Sequence, residues 1–322
     1  MLGKSLVMKQ HYISSDLLKN RIMKKLVNIL RYYQIYLMIL PALIYVIVFR
    51  YLPMYGVQIA FKDFRTSLGI WDSPWVGFRH FIKFLNYPEF WRILKNTLTI
   101  SVYQLVVGFP IPIILAIMIN EIKGTTFKKT VQMVTYAPHF ISMVVLCGML
   151  TLFLNRDMGI INHLVSFLGG SRTDYLSDPR WFKTLYVLSE VWQNAGWGTI
   201  IYLAALSGVD VQVIESARMD GANRFQKIRY VDFPSIVPTM VILLIMNVGN
   251  ILSVGFEKVL LLQNSLNMES SDIIATYVYR IGLLGGQFSY TAAIGLFNNI
   301  INLILLITVN QISRKLSETS LW

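Results

Sequence analysis

Six stretches of this chain contain no Asp, Glu, Lys or Arg, and each is long enough to cross a bilayer. They are Tyr32–Phe49, Asn96–Asn120, Thr130–Asn155, Val191–Val209, Phe233–Phe256 and Ile281–Ser313, of 18, 25, 26, 19, 24 and 33 residues. A membrane helix needs about 20 mostly apolar residues, because the hydrocarbon core is about 30 Å thick. The expected fold is therefore an all-α polytopic membrane protein with six transmembrane helices. The last run is longer than a span requires, so its start, Ile281–Phe288 with three glycines, is expected to be a lead-in loop. Val259–Met268 is also uncharged but too short to cross, which suggests a partly inserted external segment.

Composition agrees and removes the soluble classes. Hydrophobic residues make up 55% of the 322 and charged residues 14%, against about 25% charge in soluble domains. The net charge of +12 then reads as basic loops facing the cytoplasm and anionic lipid, not as a nucleic-acid surface. With six spans, the termini share one side with the 121–129 and 210–232 connections. That side holds 16 of the 29 basic residues on about 75 residues of chain. The bias places both termini in the cytoplasm. Residues 1–31 form a basic N-terminal segment, with Leu17, Leu18, Ile22, Leu26 and Ile29 spaced as in an amphipathic helix on the inner leaflet. The spans occupy 32–315, and 316–322 form a short cytoplasmic tail. The lone Cys147 excludes an internal disulfide.

The connection between the fourth and fifth runs, residues 210–234, carries the chemistry. Asp210 is a good N-cap, the next nine residues suit a short helix, Gly221 can supply a left-handed stop, and a second helical stretch begins near Asn223. Pro234 and Pro238 mark the start of the fifth span. The expected object is a helix-turn-helix along the cytoplasmic surface.

Within it, Glu215-Ser216-Ala217 is followed by three residues, Gly221, nine residues, Val231, one residue, Phe233 and Pro234. This resembles the EAA loop of the permease subunits of binding-protein-dependent ABC importers: Glu-Ala-Ala, three residues, Gly, nine residues, Ile-x-Leu-Pro. Every spacing matches, with small or apolar replacements at Ser216, Val231 and Phe233. Further stretches look like the maltose-type sugar permeases: Leu40-Pro41-Ala42, Asn96-Thr97-Leu98, Tyr136-Ala137-Pro138, Met219-Asp220-Gly221-Ala222, Thr276–Arg280 and Phe288–Gly295, in family order from about residue 35 to 315.

The resemblance implies a division of labour. The permease carries no ATPase site, and no G-x-x-x-x-G-K or H-E-x-x-H occurs here; ATP and Mg would bind partner subunits, and no cofactor is expected on this chain. Glu215, Ser216, Ala217, Asp220, Gly221 and Pro234 would form the coupling element, docked on one of two cytoplasmic ATPases. A second, non-identical permease would complete a heterodimer, and an extracellular solute-binding protein would deliver a carbohydrate. Transport would be rocking of two bundles around a central site.

Polar residues inside spans are costly in lipid and usually face a bundle interior or cavity. Trp192, Asn194 and Trp197 in the fourth run, Asn247 and Asn250 in the fifth, and Asn298 and Asn302 in the sixth are the candidates for a sugar path. Amides can serve sugar hydroxyls, and an aromatic face can stack on a pyranose ring; helix-to-helix hydrogen bonding is the plainer role for each. Glu190 and His139 could suggest proton coupling, but local partners near the span ends are expected for both. A permease for another solute, a secondary transporter and a membrane receptor stay as alternatives. Intramembrane acids or repeats would mark the second, and a sensing domain the third.

Overall fold

Prolines and caps decide how the charge-free runs become helices. The computed structural model describes residues 31–317 and 320–321. The expected amphipathic segment before Arg31, and residues 318, 319 and 322 of the expected tail, lie outside the described residues. Among these there is no strand, only isolated bridges such as Lys62 with Trp75. Two compact units divide between Gln58 and Ile59. In the first, the helix Tyr33–Val46 buries none of its residues and exposes Leu37, Met38, Ile39 and Leu43. It continues as a π turn (Ile47–Tyr51) into a 3₁₀ stretch (Leu52–Phe61), where Pro53 withholds an N–H from the ladder.

Among the described residues, four continuous helices are long and apolar enough to cross a membrane: Tyr33–Phe61, Phe90–Asn120, Arg224–Gly249 and Phe288–Lys315. The other two expected spans are bent pairs. Thr125–Phe140 meets Met143–Phe153 at 96°, and Pro179–Ser207 meets Val211–Met219 at 75°. Six spans are reached only if each bent pair counts as one, so the described residues are all-helical with four to six crossing elements.

The uncharged run Thr130–Asn155 is thus not one straight rod. Pro138 begins a 3₁₀ turn (Ala137–Phe140), Ile141 and Ser142 are extended, and Ser142 restarts the helix by accepting a hydrogen bond from Val145 N. Hydropathy has no term for direction, so the break is invisible to a count of charges.

The fourth run is lengthened in the opposite sense. Its helix begins at Pro179, capped by Asp178, and runs 29 residues to Ser207, about 43 Å at 1.5 Å per residue. Lys183 and Glu190 had ended the uncharged run early. One stripe of this helix is buried: Phe182, Tyr186, Ser189, Gln193, Gly196, Thr199, Tyr202 and Leu206, the three-and-four spacing of a helix face. It packs on Phe90–Gly108, Pro110–Asn120 and Phe233–Gly249. Small residues permit the closest approaches: a Cβ on Gly196 would stand 1.9 Å from Thr135 O, and one on Gly198 3.1 Å from Pro112.

Near the sixth run the lead-in differs from expectation. Ile281–Leu284 remain helical as part of a π turn (Tyr279–Leu284), and the interruption shrinks to Gly285–Gln287, with Gly286 at φ +67°. The short uncharged stretch after Lys258 starts as the end of a helix (Phe256–Leu262), whose Val259 and Leu262 enter the core with Ile100, Tyr186 and Ile273, and continues as a turn.

Candidate functional site

The buried helix Pro179–Ser207 also walls a cavity. Ser101, Gln104 and Leu105 reach it from Phe90–Gly108, and Glu190, Asn194 and Tyr202 from Pro179–Ser207. Asn247, Asn250 and Ser253 complete it from the end of Phe233–Gly249 and the turn beyond. Its volume is about 380 Å³. Among the described lining residues, Glu190 is the one carboxylate and no Lys, Arg or His is present; the other polar groups are amides and hydroxyls. Asn247 Nδ2 donates to Leu243 O at 2.8 Å and Asn250 Nδ2 to Met246 O at 3.0 Å. Each bond uses one N–H, so a second N–H and the amide oxygen stay available to a ligand.

A polar line leads out of the cavity. Glu190 Oε1 accepts from Asn194 Nδ2 at 2.7 Å, and Asn194 Oδ1 faces His139 Nδ1 at 2.8 Å. Trp197 stacks on the His139 ring, 4.4 Å between centroids at 7°. Gln193 Nε2 donates to Ile141 O at 2.8 Å. The 96° break is therefore held by one helix face through Gln193, Asn194, Gly196 and Trp197. On its other side, Glu190 Oε2 meets Lys258 Nζ at 2.9 Å. Glu190 and His139 thus have the local partners expected of them.

Of the seven residues singled out for a sugar path, Asn194, Asn247 and Asn250 come together here. Trp192 and Trp197 are half-exposed and do not line the cavity. Asn302 is spent on structure: its Oδ1 accepts from Leu252 N at 3.2 Å and its Nδ2 donates to Ser253 Oγ at 3.2 Å. Asn298 has a buried Oδ1 without a hydrogen bond and lies outside the lining. Ser101, Gln104 and Ser253 were missed. Gln104 is a lone amide deep in an uncharged run, and the cost of a polar group in lipid already pointed to it.

The loop 210–234 folds as its residue types dictate. Asp210 Oδ1 accepts from Gln212 N at 2.9 Å and caps the helix Val211–Met219. Gly221 sits at φ +82°. Its N–H reaches Arg218 O and that of Ala222 reaches Ala217 O, both at 3.0 Å, the paired bonds of a Schellman stop. Asn223 and Gln226 then cap each other reciprocally, at 2.9 and 2.8 Å, and restart the helix. Lys227 Nζ ties the loop to the end of the helix Pro110–Asn120 through Glu121 Oε1 at 2.5 Å, with Asp232 Oδ2 at 3.2 Å. Val211–Met219 buries nothing: Glu215, Ser216, Asp220 and Gly221 are exposed, as is Pro234, and Ala217 is half-buried. Val211, Met219 and Phe225 add apolar surface, with Met219 88% exposed. Among the described residues no cluster of His, Cys, Asp or Glu could hold a metal ion.

Comparison with known proteins places this geometry. A polygalacturonan/rhamnogalacturonan transport system permease protein, YteP of Bacillus subtilis (strain 168), is 43% identical over 304 residues, covering 94% of this chain and 95% of its own. Protein LplB of the same organism is 42% identical over 288 residues, 89% of this chain and 91% of its own. Among solved structures, a chain of a bacterial ABC transporter involved in import of the acidic polysaccharide alginate superposes with a TM-score of 0.83 at 40% identity, covering 90% of this chain and 98% of that one. The same kind of transporter, crystallised in complex with a periplasmic protein bound to an alginate pentasaccharide, gives 0.84 at 39% identity over 91% and 98%. Residues 108–318 match the model of the binding-protein-dependent transport system inner membrane component, and the chain belongs to that family of multi-pass permeases.

Proposed function

We propose that this chain is one of two unlike transmembrane subunits of an ATP-driven importer for oligosaccharides, and that its substrates are uronate-bearing. The supporting observation is the cavity: amides and hydroxyls from three helices converge on about 380 Å³, a lining that suits many hydroxyl contacts and no fixed counter-charge. Acidic polysaccharides named for two relatives agree with it. ATP and Mg belong to two cytoplasmic ATPases, and this chain supplies no catalytic group. An extracellular binding protein hands over the sugar. Both termini and the loop 210–234 face the cytoplasm, where Glu215, Ser216, Ala217, Asp220, Gly221 and Pro234 dock on an ATPase, helped by exposed Val211 and Met219.

Purification of the tagged chain from its native membrane tests this reading. It should bring down an ATPase and a second permease, and the complex in proteoliposomes should import trigalacturonate in an ATP- and binding-protein-dependent way. Gly221→Asn should keep both properties, since Asn tolerates positive φ. Gly221→Val should insert but lose ATP-driven uptake. A chain that purifies alone, or uptake untouched by Gly221→Val, would refute the coupling assignment.

A further inference from the structure

Glu190 puts a carboxylate into a cavity proposed to pass carboxylated sugars, which is a poor arrangement unless something offsets it. The offset lies behind the wall. Lys258, on the short helix Phe256–Leu262, has a side chain with no exposure at all and does not line the cavity. Its ammonium contacts Glu190 Oε2 at 2.9 Å and Tyr186 O at 3.1 Å, and lies 4.8 Å from the centre of the Tyr186 ring. The Glu190 side chain is 20% exposed and lines the cavity. Burial disfavours the Lys258 ammonium, and Glu190, the Tyr186 carbonyl and the Tyr186 ring together offset that cost. Lys258 in turn offsets Glu190. Without Lys258, the cavity would present a bare negative charge, and like charges about 6 Å apart repel appreciably even at an effective dielectric constant of about 20.

We propose that the Glu190–Lys258 pair sets the net charge of the cavity to zero and is thereby a specificity-determining element for anionic sugars. The proposal rests on the carbohydrate reading above. Glu190 is the group that faces the sugar. Lys258 is a positioning and neutralising residue that acts through it, and Asn194, bonded to the other carboxylate oxygen at 2.7 Å, keeps Glu190 in place. Uronate rings then meet neutral amides at Gln104, Asn247 and Asn250 without repulsion from the wall.

The test separates charge from structure by the sign of the effect. Equilibrium dialysis of the purified complex, without binding protein, would compare labelled trigalacturonate with the same trisaccharide after reduction of its carboxyls to hydroxymethyl groups. Lys258→Met should weaken trigalacturonate binding about tenfold and the neutral sugar less than threefold. Glu190→Gln should raise trigalacturonate binding relative to the neutral sugar about threefold or more, whatever it does to the neutral sugar alone. The double variant Lys258→Met/Glu190→Gln should return the charged-to-neutral ratio to within threefold of the parent. It leaves no orphaned charge, so its comparison with Glu190→Gln serves even if Lys258→Met alone does not assemble. Equal losses for both sugars in both single variants would overturn the proposal and leave the carbohydrate reading standing. Binding of neither sugar by the parent would overturn that reading, and the proposal with it.

Discussion

Gly196 shows how a single atom governs this bundle. In an ordinary helix interior, Gly to Ala is stabilising by about 0.5–1 kcal/mol. At Gly196 the added carbon would overlap Thr135 O at 1.9 Å, against backbone that cannot swing away like a side chain. Gly148, on Met143–Phe153, has nothing within 4 Å of the same position. The expected outcome is therefore opposite in sign: Gly196→Ala lowers the melting temperature in detergent by several degrees, and Gly148→Ala leaves it unchanged or raises it. Tryptophan fluorescence on heating would decide, and equal shifts would contradict the close packing of the broken span on Pro179–Ser207. Nothing in the one-dimensional sequence distinguishes these two glycines, because each lies in an uncharged run and the difference is made by the partner helix.

At the scale of elements, local chemistry was legible wherever neighbours in sequence make the structure. Asp210, Gly221 and the Asn223–Gln226 pair each act within five residues, so the stop and restart of the loop could be read from residue types. Elements shaped by distant partners were not. The helix Pro179–Ser207 begins 12 residues before its uncharged run, and it carries Glu190 inside the bundle because Lys258, 68 positions away, matches it. The 96° bend is fixed by Gln193 and Asn194 from another helix. Sidedness of these elements is testable by thiol labelling in a Cys147→Ala background. Ser271 has no exposure and is a poor probe, whereas Leu266 at 66% and Met219 at 88% are accessible. A cysteine at Leu266 should react with an impermeant maleimide in intact cells, and one at Met219 only after permeabilisation. The reverse pattern would invert the proposed topology.

For the molecule as a whole, the cavity and the scaffold make different demands on asparagine. Asn194→Ala and Asn247→Ala should each reduce uptake about threefold to tenfold at limiting sugar, in line with about 0.5–1.5 kcal/mol for a neutral hydrogen bond. The melting temperature should change less at Asn247, whose own bond is a back-contact within its helix. Asn302→Ala strands the buried N–H of Leu252, so it should lower thermal stability, with the affinity for sugar in the surviving protein unchanged. Uptake and melting curves on the three variants check this. If Asn247→Ala transports like the parent, the sugar touches other groups. The three residues look alike in sequence, each an amide in an apolar run. Only the fold separates those that face space from those that brace it.

Pro179–Ser207 runs unbroken from the cavity wall to the 75° corner that begins Val211–Met219. Asn194 and Ser207 are 13 residues apart, about 20 Å of stiff rod. In mechanical terms this is a lever whose fulcrum is the glycine contact at Thr135. From Gly196 to Ser207 the arm is about 16 Å, so a sideways push of 1 Å at the short helix tilts it by about three and a half degrees. With a pivot that close to Asn194, the same rotation displaces the cavity wall far less than the loop. Work done at the outer end would arrive at the sugar as a small, forceful movement, and suppressors of cavity defects should be sought along this one rod.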